Sequence, residues 1–381
     1  LPYALYKGSP EHLSSVPTQA FLFVVSLMLL YAAFWRAGQL ALGAVVVAIV
    51  GSNPYQLHLV YKHPNGVLSL VVSLFLIVLA LNLPLIGQKK VSRMYLYAVP
   101  LLSGAIIGSA RQFRSETMIL LLLPVLAMVL SSLGEVRRQH KWMVPVWLMV
   151  AVLATSHLWE GAFNKYYAIT LTRLVYMTAP PPQRTSMDTY HGKWHPIYVG
   201  LCDFDDTYGI ECLDSSAGKA FGAYREEHNL PFWLYPGAYH PNYERVLKEV
   251  VLSMIADDPL WYGRIIMKRL WVFFSETTPV SLQIWRYSLQ IPIHGLLALL
   301  GALLVAYITR RAYLVKLLLL SLPLELPALL VTSRPGMTYY NCYHLIAAAI
   351  VVSYGATVAV SYGTERCRGA LRQYSAHRSE S

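Results

Sequence analysis

Long apolar runs, interrupted by short polar ones, fill the chain from Ala20 to Ser156 and again from Leu289 to Tyr362. Nine segments follow from the pattern: Ala20 to Trp35, Gly38 to Gly51, Val67 to Gly87, Met94 to Ser109, Thr117 to Leu133, Trp142 to Ser156, Leu289 to Tyr307, Ala312 to Thr332 and Leu345 to Tyr362. "AFLFVVSLMLLYAAFW" and "TMILLLLPVLAMVLSSL" carry no charge and read as membrane-crossing helices. Several segments fall short of the roughly 20 residues of a full span, so the second and sixth are expected to be tilted, extended at their ends or re-entrant. None alternates apolar and polar residues as a barrel strand does, which excludes a transmembrane β-barrel.

Between the two apolar blocks the periodicity weakens. "TAPPPQRTSMD" is a linker that cannot continue a helix. "NYERVLKEVVLSMIA" predicts an amphipathic helix, and "DDPLWYGRIIMKRLWVFF" opens a second, with Asp257 or Asp258 as cap and Pro259 in first position. Trp261, Ile265, Leu270 and Trp271 beside Arg264, Lys268 and Arg269 suit a helix in the headgroup plane, whether as a plain anchor or as a holder of anionic lipid heads. The expected fold is an all-α polytopic membrane protein of about nine transmembrane helices. Residues 1–156 form a first transmembrane module of six spans, residues 157–288 an extracytoplasmic, α-rich and irregular domain, and residues 289–381 a second module of three spans with a basic cytoplasmic tail.

Composition supports the membrane reading. Hydrophobic residues make up 56% and charged ones 13%, about half the roughly 25% charge of a soluble domain. Formal charge is +11, yet no nucleic-acid partner is expected, because the bases concentrate in alternate loops. One set holds Arg36, Lys89, Lys90, Arg93, Arg137, Arg138, Lys141, Arg310 and Arg311 and the tail with Arg366, Arg368 and Arg372. The intervening set includes residues 157–288, with slightly more acids than bases. The bias puts the first set in the cytoplasm and the second outside, as for a multi-pass protein of a plasma membrane such as the bacterial inner membrane. Leu1 then starts outside. If the true N-terminus is cytoplasmic, a further span precedes Leu1.

Candidate chemistry is sparse and faces outward. Arg111 and Arg114 with Glu116 in "RQFRSE", and Arg334 in "SRPGMTYY", stand beside spans where charge is costly. Paired guanidinium donors suit phosphate oxygens, although headgroup anchoring and helix capping by Glu116 explain the same residues. Glu325, between Pro323 and Pro327, reads as a functional acid at a broken helix or as a paired acid in the bundle, and His344 opens the last span. In "WHPIYVGLCDFDDTYGIEC", Cys202 and Cys212 are a disulfide candidate, the alternative being two free thiols. Asp203, Asp205 and Asp206 could hold Ca²⁺, Mg²⁺ or Mn²⁺ or form a solvated turn. Trp194, Tyr198 and Tyr208 could present faces to a sugar or a protein, or serve as core. His191 and His195 do not form a zinc pair, because Gly192 and Pro196 oppose the helix they would need.

"GAIIGSARQFRSETMILLLLPVLA" resembles the span and outer Arg/Glu motif of the GT-C superfamily of integral-membrane glycosyltransferases, in particular relatives of protein O-mannosyltransferases and aminoarabinose transferases. "WHPIYVGLCDFDDTYGIECLDSSAGKAF" and "ADDPLWYGRIIMKRLW" are similar to segments of bacterial proteins of this type. The resemblance implies a polyprenyl-phosphate-linked sugar donor and a glycan, lipid or protein acceptor on the outer face. It makes Arg111, Arg114 and Arg334 the phosphate grip and allows a divalent cation, Mg²⁺ or Mn²⁺, at the leaving phosphate. The superfamily carries its catalytic acid in the first outer loop. Glu11 is the only acid before Ala20, so either Glu11 or an acid preceding Leu1 takes that role. A polymerase or ligase of lipid-linked glycans is a close variant. Two other classes stay open: a non-catalytic subunit with membrane-protein partners, and a transporter built around Glu325.

Overall fold

The computed structural model describes residues 16–54, 56–57, 67–88, 90–111, 119–131, 146–155, 157–158, 194–204, 206–229, 242–275, 277–284, 287–324 and 342–379. Helices dominate. The first block gives α1 (Val16–Arg36), α2 (Leu40–Gly51), α3 (Val67–Gly87), α4 (Arg93–Arg111), α5 (Leu122–Val129) and α6 (Val146–Thr155). The middle gives α7 (Trp194–Gly200), α8 (Asp214–Glu227), α9 (Tyr243–Asp257) and α10 (Pro259–Ser275). A hairpin of β1 (Thr277–Ile284) and β2 (Tyr287–His294) leads to α11 (Gly295–Thr309), α12 (Ala312–Ser321), a 3₁₀ turn (Leu322–Leu324) and α13 (Cys342–Ser379).

Among these helices two are long and apolar enough to cross a bilayer, Pro17–Arg36 and Cys342–Glu365. Seven shorter apolar helices of 10–17 residues accompany them, including Leu40–Gly51, Met94–Ser109 and Gly295–Thr309. The expected all-α fold needs one correction. Leu289 to His294, read as the start of a span, is strand β2, and the boundary drawn at residue 288 falls inside the hairpin. The two strands pair antiparallel, Thr277 opposite His294 and Ile284 opposite Tyr287. "TTPVSLQI" and "YSLQIPIH" alternate with period two over eight residues each, a strand signal obscured by the apolar run that follows.

Two hydrophobic cores result. The larger is the bundle, where Phe23, Leu30 and Phe34 of α1 meet Phe75, Leu76, Leu79 and Leu83 of α3, and α13 packs on α2, α11 and α12. The smaller belongs to a loop domain of α7 to α10, centred on Tyr198, Leu201, Phe221, Tyr243, Leu247 and Trp261. Helix α10 joins them: Trp261 and Ile265 lie in the small core, Phe273 in the large one.

Basic turns gather at one end of the bundle. Gly38, at φ +70, closes α1 in the left-handed conformation, with Gln39 N–H returning to the Phe34 carbonyl at 2.8 Å. Gln88, after α3, donates Nε2 to the Arg36 carbonyl at 2.6 Å. Arg36 lies 5.8 Å over the Tyr95 ring. A Cβ on Gly87 would touch Ala37 and Tyr313 at 3.0 Å, which brings the Arg310–Arg311 turn to the same place. At the opposite end, Gln56, just past α2, reaches Cys342 Sγ at 3.8 Å, and the hairpin meets α13. Among the described residues, the turns at Arg36, Gln88 and Arg310–Arg311 thus lie at one end of the bundle, and the hairpin and the start of α13 at the other.

The "GAIIG" spacing has a packing consequence. A Cβ on Gly104 would stand 2.8 Å from the Leu148 carbonyl, and one on Gly108 would stand 2.9 Å from that of Val152. Small residues four apart let α4 and α6 approach backbone to backbone, the mode by which helices associate in lipid. Gly104→Leu should destabilise the folded protein by about 1–3 kcal/mol, the cost of overpacking a fitted contact. The thermal transition of the detergent-solubilised variant measures this, and an unmoved transition would contradict the close approach.

Candidate functional site

Two polar constellations interrupt the apolar packing, one inside the loop domain and one where that domain meets the bundle. In the first, α7 is held from outside itself. The N–H groups of Trp194 and His195 donate to the Glu244 carboxylate of α9 at 2.8 and 3.3 Å, an acid at the positive end of a helix. His195 Nδ1 lies 2.7 Å from the Tyr243 hydroxyl. Beyond α7 the chain turns through Phe204 and Gly209, both left-handed, and a disulfide joins Cys202 to Cys212 with Cα atoms 5.4 Å apart.

Asp203 points inward from this turn. Arg269 donates Nε to its Oδ2 at 3.2 Å and Nη2 to the Gly200 carbonyl at 2.5 Å, and both side chains are buried. Burial pulls the guanidinium below its ordinary value, and the Asp203 charge pushes it back up. Arginine nonetheless stays protonated. Helix α10 positions this cation on the face that carries Trp261 and Ile265. Its first turn is capped by Asp258, whose Oδ1 accepts the Trp261 N–H at 2.8 Å, as one of the two expected caps.

The aromatics Trp194, Tyr198 and Tyr208, expected to face a sugar or partner or to serve as core, pack on this core. Tyr198 is 6% exposed. Burial raises its phenol above the ordinary value, and a hydrogen bond with Ser216 lowers it. Tyr208 meets Trp261 edge-on at 4.6 Å, and Trp194 is half-buried. Of the three aspartates considered as metal ligands, Asp203 is engaged by Arg269, Asp206 is exposed, and Asp205 lies outside the described residues. The Cys202 and Cys212 sulfurs and an Asp203 oxygen do lie within 4.8 Å of one another, but the sulfurs are bonded together. The described residues therefore do not fit an acidic metal site.

The second constellation is the junction. Helix α10 ends with the Phe273 ring 4.6 Å from His344 and 5.9 Å from Tyr343, at the start of α13. His294 ends β2 and takes the cap position of α11. His344 rests against the first residue of that helix, where a Cβ on Gly295 would stand 2.6 Å from Nε2. Both nitrogens of His344, and Nδ1 of His294, are buried without a hydrogen-bond partner among the described residues.

Glu11, Arg114, Glu116, Glu325 and Arg334 lie outside the described residues, and Arg111 is described only as the last residue of α4. Sequence reading missed Glu244 and His294, and it grouped Arg269 with the headgroup-facing bases Arg264 and Lys268, whereas Arg269 is fully buried against Asp203. Arg269 had a signal: it follows Trp261 and Ile265 at intervals of four, a cation on an apolar stripe. His294 had one in its place between the strand pattern and Gly295. No protein family, curated protein or solved structure matches the chain. Fold and sites together define a mostly helical bundle with a disulfide-stapled domain at the end opposite its basic turns.

Proposed function

We propose that the chain is an integral-membrane glycosyltransferase using a polyprenyl-phosphate-linked sugar on the extracytoplasmic face, with about nine segments crossing the bilayer. The observation that carries this reading is the disulfide-bonded loop domain seated on the bundle end away from the basic turns. Disulfides persist in oxidising compartments, and basic loops are retained in the cytoplasm, so the two features agree on orientation.

Exposed apolar faces support the membrane. Phe21, Met28 and Trp35 of α1, Leu297 and Leu304 of α11, and Val360 of α13 are all open. A soluble monomer rarely leaves so many large apolar side chains open along its helices. The two faces of helix α10 support an interfacial place for it: Leu260, Arg264, Met267 and Trp271 form its exposed stripe, and Trp261, Ile265, Arg269 and Phe273 its buried one. In this reading Arg111, Arg114 and Arg334 hold the donor phosphate at the outer surface, and a carboxylate in the first outer loop takes the acceptor's hydroxyl proton.

Native mass spectrometry of the gently solubilised protein tests it. The wild type should retain a polyprenyl phosphate or its sugar adduct, and Arg114→Ala should lose most of it. Absence of any such lipid from the wild type would favour a non-catalytic membrane subunit.

A further inference from the structure

Helix α11 begins without a conventional cap. The first N–H groups of an α-helix have no acceptor within it, and Ser, Thr, Asp or Asn ordinarily supplies one. Here the cap residue is His294, which makes no side-chain capping bond. Against the same turn lies His344, 1% exposed, with neither ring nitrogen hydrogen-bonded among the described residues. Phe273 closes the side of the ring toward α10. A buried polar group without a partner costs about 1–3 kcal/mol. Three such nitrogens beside one uncapped helix start call for a common ligand.

We propose that the start of α11, with His294 and His344, binds a phosphate group. A helix N-terminus offers N–H donors and partial positive charge to an anion. A neutral imidazole donates through one nitrogen and accepts through the other. A phosphate carries oxygens for the donors and, when singly protonated, a P–OH for the acceptor. A metal cation fits less well, because no third ligating side chain joins the two imidazoles among the described residues. Gly295 is required by this arrangement, since any side chain there meets the His344 ring. Assigning the phosphate to a lipid rests on the proposed function; the phosphate chemistry itself does not.

The full-length protein in detergent is titrated with a short prenyl phosphate, with the prenyl alcohol of equal length and with inorganic phosphate, using native mass spectrometry and calorimetry. The prenyl phosphate should bind about tenfold or more tighter than the alcohol, as hydrogen bonds to a charged group imply. Made both in the wild type and in Arg114→Ala, His344→Ala and Gly295→Ala should each remove most of the preference that does not depend on Arg114, while leaving alcohol binding in place. His294→Ala, at the half-buried cap position, keeps the test available should His344→Ala fail to fold. Competition by inorganic phosphate would assign the contact to the phosphate group, and inorganic phosphate binding as tightly as the lipid would make the free ion the ligand of the same site. An unchanged preference in the folded variants overturns the proposal. So does a wild type with no preference for phosphate. Sugar transfer is not read in this experiment, so failure of the transferase reading leaves its result standing. A preference abolished by Arg114→Ala but untouched by Gly295→Ala would sink this site and spare the transferase.

Discussion

Arg269→Ala should unfold the loop domain while the bundle persists. The substitution leaves the Asp203 carboxylate buried without its guanidinium and takes a donor from the Gly200 carbonyl. Breaking a buried pair in this way costs on the order of 3–5 kcal/mol, because the remaining charge is uncompensated. That is a large fraction of the stability of a small domain. Limited proteolysis of the detergent-solubilised protein reads it, through new cleavages between residues 194 and 275. The paired variant Asp203→Leu with Arg269→Met supplies the decisive comparison. Removing both charges for apolar groups is often neutral, so the pair should resist protease far better than Arg269→Ala alone. Equal resistance of wild type and Arg269→Ala would show that the ion pair does not hold the domain.

Sequence reading reached the bundle more fully than the domain, and the reason is physical. Apolar runs such as Leu40–Gly51 advertise helices by length and lack of charge, and each expected segment that falls on described residues contains helix. The hairpin was hidden because "SLQIPIH" runs without a break into the apolar α11. Helix α7 was invisible for another cause. "WHPIYVG" is only seven residues long and its start depends on Glu244, fifty positions away, and no local periodicity reports such a partner. The caps at Asp258 and Pro259 were local and therefore legible.

The candidate sites divide in the same way. Arginines beside spans stand out in sequence because they are expensive there, whereas Tyr198 and Tyr208 looked equally suited to a ligand or a core. Burial decides between those roles, and burial is set by tertiary packing. His344 was noticed for its position at the head of a span. That it meets His294 depends on the hairpin bringing β2 to the start of α11, which no pattern in the sequence announced.

Cys212→Ser should weaken the loop domain by about 3 kcal/mol, the loop-closure contribution of a disulfide spanning some ten residues. The effect should not add simply to that of Arg269→Ala. Cys202 directly precedes Asp203, and the bridge fixes both ends of the turn from which that carboxylate points inward. Residues that share a turn and a partner couple by about 0.5–3 kcal/mol, so the double variant should lose less than the sum of the singles; strict additivity would mean that disulfide and ion pair act independently. The same bridge also reports orientation. Cys212 is exposed whereas Cys202 is buried, so Cys212 is the sulfur open to a reagent from solution. In intact cells a membrane-impermeant phosphine followed by an impermeant maleimide should label Cys212 if the loop domain lies outside. Cys367, exposed on the helical tail, should react only after lysis. Labelling of Cys367 but not Cys212 in intact cells would reverse the orientation and remove the outer face on which a lipid-linked donor would be used.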